Sequence, residues 1–414
     1  MSPPSGGHAA TGAHLGDRLA SLRRLAGLTQ EQVAERSGVS VDVIRKLEQR
    51  RKHSARLPTL HALAGGMGVE LTSLLGDPPS VASNGAAEPP ALVELRRAIM
   101  PSLVPRIPDT SHLGSLSIQV LRERIADGWS LYHGGDFDGL ITVLPGIIAH
   151  ARLLAAIGSP DQKAAGAAAL GKALQLAGHL SIRLGKTDLA LSALERAASA
   201  ADESADPLLA PMIHGSVAWA YQRQNRLDDA QELAVTSADY LERGKLNTAA
   251  RVRVWGGLLL SAATSSARMG NYDEARDVMI AAEEGADRLT QLPAPEEDGR
   301  MLSVFSPSSV RIERVRLAVQ YARPDEALHL AKGIRLSADT PPSWRTWLLL
   351  DVARAYTDIG DAEHAVRTLE TLRRAAPLWM RQHTLAVSIV TDLRAGSSRP
   401  PGLRKLAEYL GIAG

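Results

Sequence analysis

The chain contains no cysteine. That removes disulfides, thiolate nucleophiles and Cys-based zinc or iron–sulfur sites together. Phenylalanine occurs only twice and all aromatics make up 4% of the residues. β-Branched alternation is scarce and Ala and Leu dominate, so strands have little to build from and an all-α chain is expected. The formal net charge is only +2, from 47 Lys and Arg against 45 Asp and Glu, which excludes a uniformly basic coat for gripping nucleic acid everywhere. No apolar run approaches the roughly 18–20 residues of a membrane span. Met1 to His14 carries neither the basic patch nor the apolar core of a secretory signal. A soluble, cytoplasmic protein with no membrane partner is therefore expected.

Catalytic and metal chemistry find no support either. The twelve histidines are scattered, without H-E-x-x-H spacing or an acid-rich cluster, so no metal site and no cofactor are expected. GAAALGK (166–172) fills the first seven places of a phosphate-binding loop, but the eighth residue is Ala173, where the magnesium-binding hydroxyl belongs. No strand precedes it, and a helix whose small residues allow close packing explains it better. No nucleophile elbow occurs in a strand–helix context. The expected class is a non-enzyme.

What is present is unevenly placed. The 414 residues are 45% hydrophobic, enough for two or three domains with a sizeable core. Residues 15–57 hold ten Lys and Arg and five acids, a local +5, which leaves −3 for the rest. The first aromatic residue is Trp129. A small basic domain is joined to a larger, mildly acidic one. The join is GDPPSVASNGAAEPP (76–90), rich in Pro, Gly, Ala and Ser and without apolar period, which as a flexible coil would span about 20 Å. The expected organisation is a disordered arm over 1–13, a helix-turn-helix domain over 14–76, a linker over 77–90, helical repeats over 91–395, and a tail with a short helix over 396–414.

The basic segment is the sharpest signal. Leu15, Leu19, Leu22 and Leu25 give a first helix its apolar face, and Gly27 stops it. Thr29 caps a second helix with Gln32 in the capping-box place, and Gly38 turns the chain. Ser40 then caps a third helix whose Ile44 and Leu47 face inward, and two short leucine-bearing helices follow. Two short helices across a tight Gly turn are the geometry that places one helix in a DNA major groove. GLTQEQVAERSGVSVDVIRKLEQRRK with LPTLHALAGGMGV resembles the xenobiotic-response-element class of bacterial and phage repressors, over about 60 residues.

Position then assigns roles. The third helix enters the groove by its N-terminal turns, so Ser40, Val41, Asp42, Arg45 and Lys46 are the expected readers, with Lys46 suited to guanine O6 and N7 and Val41 to a thymine methyl. Arg50, Arg51 and Lys52 lie just beyond, where flanking phosphates run. Arg50 stands where the family often has Gly. The resemblance further implies that Gln30 contacts phosphate and that Arg23 pairs internally with Glu48. The bland readings remain: Thr29 and Ser40 cap helices with or without DNA, and Val41 could be core in place of a base contact.

Beyond residue 91 a unit recurs: GDFDGL (135–140), GKTDLA (185–190), NRLDDA (225–230), GNYDEA (270–275), ARPDEA (322–327) and GDAEHA (360–365). Between successive sixth positions the intervals are 50, 40, 45, 52 and 38 residues. Each unit joins two amphipathic stretches, so a helical hairpin recurs, with small residues such as Ala230 and Ala275 letting its helices close up. GNYDEA resembles the turn of tetratricopeptide repeats. A repressor-like head on such an array resembles the peptide-pheromone-sensing regulators and related repeat-bearing regulators of bacteria, which implies a peptide, small-molecule or protein effector. The inner surface should come from the first helix of each hairpin, with Trp129, Tyr132, His179, Arg183, Tyr221, Arg223, Asn225 and Arg268 as candidate contacts. A single half-site reader binds weakly, so a homodimer on double-stranded DNA is expected. The alternative is an interaction scaffold whose head docks protein instead of DNA.

Overall fold

A computed structural model describes residues 14–52, 54–69, 71–75, 88–102, 117–157, 159–293, 305–336 and 340–412. The expected arm over 1–13 and nearly all of the linker lie outside these residues. Every regular element among the described residues is a helix, in keeping with the scarcity of strand formers. The chain divides into two compact units. One gathers the N-terminal helices with residues 314–334 and 345–414; the other holds the helices between Pro90 and Glu313 with residues 335–344.

In the first unit α1 (Leu15–Leu25), α2 (Gln30–Ser37), α3 (Val41–Glu48), α4 (Leu57–Met67) and α5 (Leu71–Leu75) form the head. Its cap chemistry is the one expected. Thr29 accepts from the Gln32 amide and Gln32 returns the bond, while Ser40 accepts from the Val43 amide. Gly27 and Gly38 both take left-handed angles, φ 67° and 68°. A further cap escaped sequence reading: the His14 ring accepts from the Gly16 amide, and Asp17 accepts from the His14 amide. Leu15, Leu19, Val33, Ile44, Leu47, Leu60, Leu63 and Leu74 pack into one core. Leu25 is a correction. It points to solvent at 82% exposure, and Leu22 is only partly buried, because α1 rests on α3 and α5 through its first turns.

Elsewhere in this unit α16 (Pro324–Lys332), α18 (Ala362–Ala375), α19 (Pro377–Arg381), α20 (Thr384–Ala395) and α21 (Leu403–Tyr409) follow the ends of α15 (Pro307–Gln320) and α17 (Pro342–Asp358). The guanidinium of Arg354 lies buried between Asp358 and Asp392, with Nη1 2.6 Å from the latter. It fixes α20 on α17. The head touches α20 through α5. The short tail helix expected after Pro400–Pro401 is α21.

The second unit begins with α6 (Pro90–Ile99) and continues through the pairs α7 (Ile118–Gly134) and α8 (Phe137–Ile157), α9 (Pro160–Arg183) and α10 (Thr187–Asp202), α11 (Leu209–Arg223) and α12 (Leu227–Arg243), α13 (Ala249–Met269) and α14 (Tyr272–Gln291). The first helices α7, α9, α11 and α13 pack on one another in succession. The repeat read from sequence is present at atomic detail. All six units open on a left-handed residue: Gly135, Gly185, Asn225, Gly270, Ala322 and Gly360 have φ between 56° and 87°. All six close on a fully buried one: Leu140, Ala190, Ala230, Ala275, Ala327 and Ala365 are 0% exposed. A left-handed residue ends the first helix, and a buried apolar one, alanine in five of the six, brings the second against it.

Two sequence readings meet the structure differently. The GAAALGK stretch lies inside α9, where a Cβ on Gly166 would stand 2.5 Å from the Ala155 nitrogen; it is a close helix–helix approach, as expected. The expectation that no apolar run reaches membrane length is corrected by α8, which by length and composition alone is able to cross a membrane. In this fold α8 packs against α6, α7 and α9, burying Phe137, Leu140, Leu144, Ile147, Ile148 and Ala151. A protein core selects the same apolar side chains that a bilayer does.

Candidate functional site

The head presents α3 on a frame that three side chains lock. Arg23 of α1 donates from Nε to Glu48 Oε1 at 2.7 Å and from Nη2 to Oε2 at 2.9 Å, and from Nη1 to the Leu28 carbonyl at 2.9 Å. Gln30 of α2 donates from Nε2 to Glu48 Oε2 at 2.7 Å. One carboxylate thus collects α1, α2 and the end of α3. The expected internal Arg23–Glu48 pair is formed, and the Gln30 side chain is turned to it; the backbone amides at the start of α2 carry the partial positive charge of a helix N-terminus.

Ile44 and Leu47 anchor α3 in the core, which turns the opposite side outward. Ser40, Asp42, Arg45, Lys46, Gln49, Arg50, Arg51 and Lys52 are exposed there, with Val41 half-buried at the first turn. Lys46 Nζ stands 2.7 Å from Asp42 Oδ2, and Arg45 Nη2 stands 3.9 Å from Glu31. Arg50 forks onto Asp17 of α1, Nε to Oδ1 at 3.1 Å and Nη2 to Oδ2 at 2.7 Å. These pairs are exposed and worth about 1 kcal/mol or less each, so a competing phosphate or base edge opens them cheaply. Arg50 is also the left-handed residue that ends α3, φ 58°. The Arg51 and Lys52 amides both donate to the Lys46 carbonyl, at 2.8 and 3.0 Å. The turn is that of a glycine stop, built on an arginine.

The second candidate region lies on the first helices of the repeats. Trp129, Tyr132 and His179 form one ring cluster, with Trp129 5.1 Å from His179 and Tyr132 5.6 Å from it, edge on. Arg183 donates from Nε to the Tyr132 hydroxyl at 3.3 Å and lies 5.0 Å over Trp219. Sequence reading missed Trp219 and His133. Their signal was helical spacing: Trp219 lies four residues before Arg223, and His133 four after Trp129. Burial, with the Arg183 charge adding to it, pulls His179 down to about 3 and His133 down to about 4, so both rings are neutral at pH 7. His179 Nε2 meets Ser216 Oγ at 2.9 Å, and Gln175 Nε2 donates to the same oxygen at 2.9 Å.

Beside this cluster a cavity of about 390 Å³ opens between α7, α9 and the loop before α11, with Trp129, Gln175, Ala168, Lys172, Arg122 and Asp206 in its wall. The other expected contacts stand further along. Tyr221 is covered by Arg226 at 3.9 Å. Asn225 is the left-handed residue of the third turn. Arg223 ends α11, and Arg268 stands one residue before the end of α13. Among the described residues no group of three or more His, Asp or Glu side chains is placed to hold a metal ion.

Residues 14–74 match the family model of the helix-turn-helix domain; this stretch is such a domain. No curated protein matches the chain. Among solved structures, the chain is similar to a Rap protein complexed with competence and sporulation factor, at 12% identity and a TM-score of 0.45, over 72% of this chain and 88% of that one. It is also similar to BtubC (BKLC) from P. vanneervenii, at 18% identity and a TM-score of 0.37, over 63% of this chain and 92% of that one.

Proposed function

We propose that the chain is a sequence-specific transcription regulator that binds double-stranded DNA as a homodimer and answers to an effector held by its repeat helices. The observation that carries this reading is the outward side of α3: Asp42, Arg45, Lys46 and Gln49 exposed on a helix whose inward side and far end are fixed by Ile44, Leu47 and the Arg23–Glu48–Gln30 lock. A rigid rod with donors and an acceptor on its free face reads base edges without reorganising.

The remaining parts follow from energetics. One half-site leaves affinity near the non-specific range of about 10⁻⁴–10⁻⁶ M, and two heads across a twofold axis supply the rest. The ring cluster and the cavity beside it give an effector both apolar and polar contacts. An effector shifts DNA binding only as far as its affinity differs between two arrangements of the heads.

Fluorescence anisotropy with labelled duplexes tests the reading. Binding should weaken steeply as salt rises, and a footprinted site should bind at least a thousandfold tighter than random sequence, about 4 kcal/mol. Absence of duplex binding at low ionic strength refutes the regulator.

A further inference from the structure

The repeat register places one residue two positions before each left-handed turn. In three successive hairpins of the second unit that residue is arginine: Arg183 before Gly185, Arg223 before Asn225, Arg268 before Gly270. The cations therefore recur at one register position of α9, α11 and α13, at their carbonyl ends.

Arg268 is the informative one. Its Nη1 donates to the Gln222 carbonyl at 2.8 Å, which ties α13 to the end of α11. Its Nε is sealed from solvent with no partner. The residue as a whole is half-buried. No described carboxylate acts on it; the one charge that does is the like charge of Arg223, and burial together with that charge pulls the guanidinium down to about 10. A carbonyl contact uses one of five donors and neutralises nothing. A half-buried cation beside another cation is costly unless an opposite charge meets it. Arg354 in the other unit shows the ordinary solution, a buried guanidinium between two carboxylates.

We infer that Arg268 and Arg223 form a subsite for an anionic group, a carboxylate or a phosphate, of the ligand that the repeat helices take. The planar fork of arginine suits both groups, which accept two parallel N–H bonds. Arg183, one hairpin back, places a third cation at the same register, so a ligand with a second anionic group is favoured over one with a single group. This inference deepens the effector reading and rests on it only for the consequence at DNA, not for binding itself.

The test uses the full chain without DNA. Thermal unfolding is followed by tryptophan emission, which reports the repeats because all six Trp lie outside the head. Inorganic phosphate and succinate are titrated separately at constant ionic strength. A ligand of the native state raises Tm saturably. At least one anion should do so, with apparent affinity falling tenfold or more in Arg268→Gln and in Arg223→Gln, and unchanged in Arg276→Gln, an exposed arginine of α14 paired with Asp273 and Asp277. Which of the two anions acts tells carboxylate from phosphate. No saturable response to either anion overturns the subsite. So does a response in both variants that equals the wild-type response, which places the anion elsewhere, for instance on the basic head. Should Arg268→Gln fail to fold, Arg223→Gln carries the same comparison. Adding the acting anion to the duplex titration then separates the two readings: occupancy of the subsite that leaves DNA affinity unchanged keeps the subsite and counts against the effector reading.

Discussion

Arg23 and Glu48, 25 residues apart, meet as a two-pronged ion pair with side-chain exposures of only 15% and 8%. The pair holds the first helix of the head to the end of the third, and Gln30 adds the second. Breaking one partner leaves a largely buried charge alone, so Arg23→Ala should cost the head about 3 kcal/mol. Burial pushes the Glu48 carboxyl up, but the hydrogen bonds from Arg23 and Gln30 and the Arg23 charge outweigh it and hold the carboxyl below its ordinary value of 4.5. The contribution is therefore present above that value and lost as pH falls through the lower, folded one. Chemical denaturation of wild type and Glu48→Gln across pH 3 to 7 checks it: the difference between them should shrink toward the acid end.

Lys46 and Arg51 should separate base reading from phosphate contact. Lys46→Ala should cost about 1–3 kcal/mol on the preferred site and little on random duplex, whereas Arg51→Ala should weaken both alike and lower the salt slope by about one. Equal losses on every duplex for Lys46→Ala would assign it to phosphate. Competition anisotropy at several salt concentrations distinguishes the outcomes.

Arg50 carries two opposed terms. Its left-handed backbone costs about 1 kcal/mol that glycine would not pay, while its exposed fork onto Asp17 returns about as much at most. Arg50→Gly should thus leave thermal stability within about 0.5 kcal/mol of wild type and yet weaken duplex binding, since a phosphate-reaching cation is gone. Asp17→Ala should act the other way on DNA, freeing the guanidinium without altering the turn.

His133 and His179 predict an acid limit for the repeats. Their folded pKa values, about 4 and about 3, lie below the ordinary 6.5. Above 6.5 neither state binds the protons and the stabilisation is whole. Between 6.5 and about 4 the unfolded chain takes up protons that the folded chain refuses, so stability falls as pH falls. Tryptophan-monitored urea melts should show this slope, and His179→Gln, which keeps a polar group near Ser216, should flatten it.

How far the sequence told this in advance depends on whether a feature is local. The six turns were legible because a left-handed residue, an acid and a buried apolar residue sit within six positions of one another, each demanded by backbone or packing at that point. The caps of Thr29 and Ser40 were legible for the same reason. The exposure of Leu25 was not, since an apolar residue in helical register is buried only if a neighbour covers that turn, and α3 and α5 meet α1 nearer its start. The Gln30 amide bonded to Glu48, the Arg354 bond to Asp392 and the Arg268 contact with Gln222 each join residues 18 to 46 positions apart. Such pairings are fixed by tertiary approach, which periodicity alone does not encode.

Gly16 is the sharpest case of that non-local information. It reads as an unremarkable residue in the first turn of α1, yet a Cβ there would stand 1.9 Å from the Leu47 carbonyl oxygen and 2.8 Å from its carbon. Those are backbone atoms of α3, which no rotamer change can clear, so the helix carrying Arg45 and Lys46 must move. Gly16→Ala should destabilise the head by about 1–3 kcal/mol through overpacking, well beyond the gain in helix propensity of about 1 kcal/mol. It should also lower affinity for the specific site more than for random duplex, because the displaced groups are the base readers while the flanking cations on the following turn stay free to adjust. Parallel denaturation and anisotropy on this one variant measure both. Equal losses on specific and random DNA would mean that α3 reaches the groove without depending on its seat against α1.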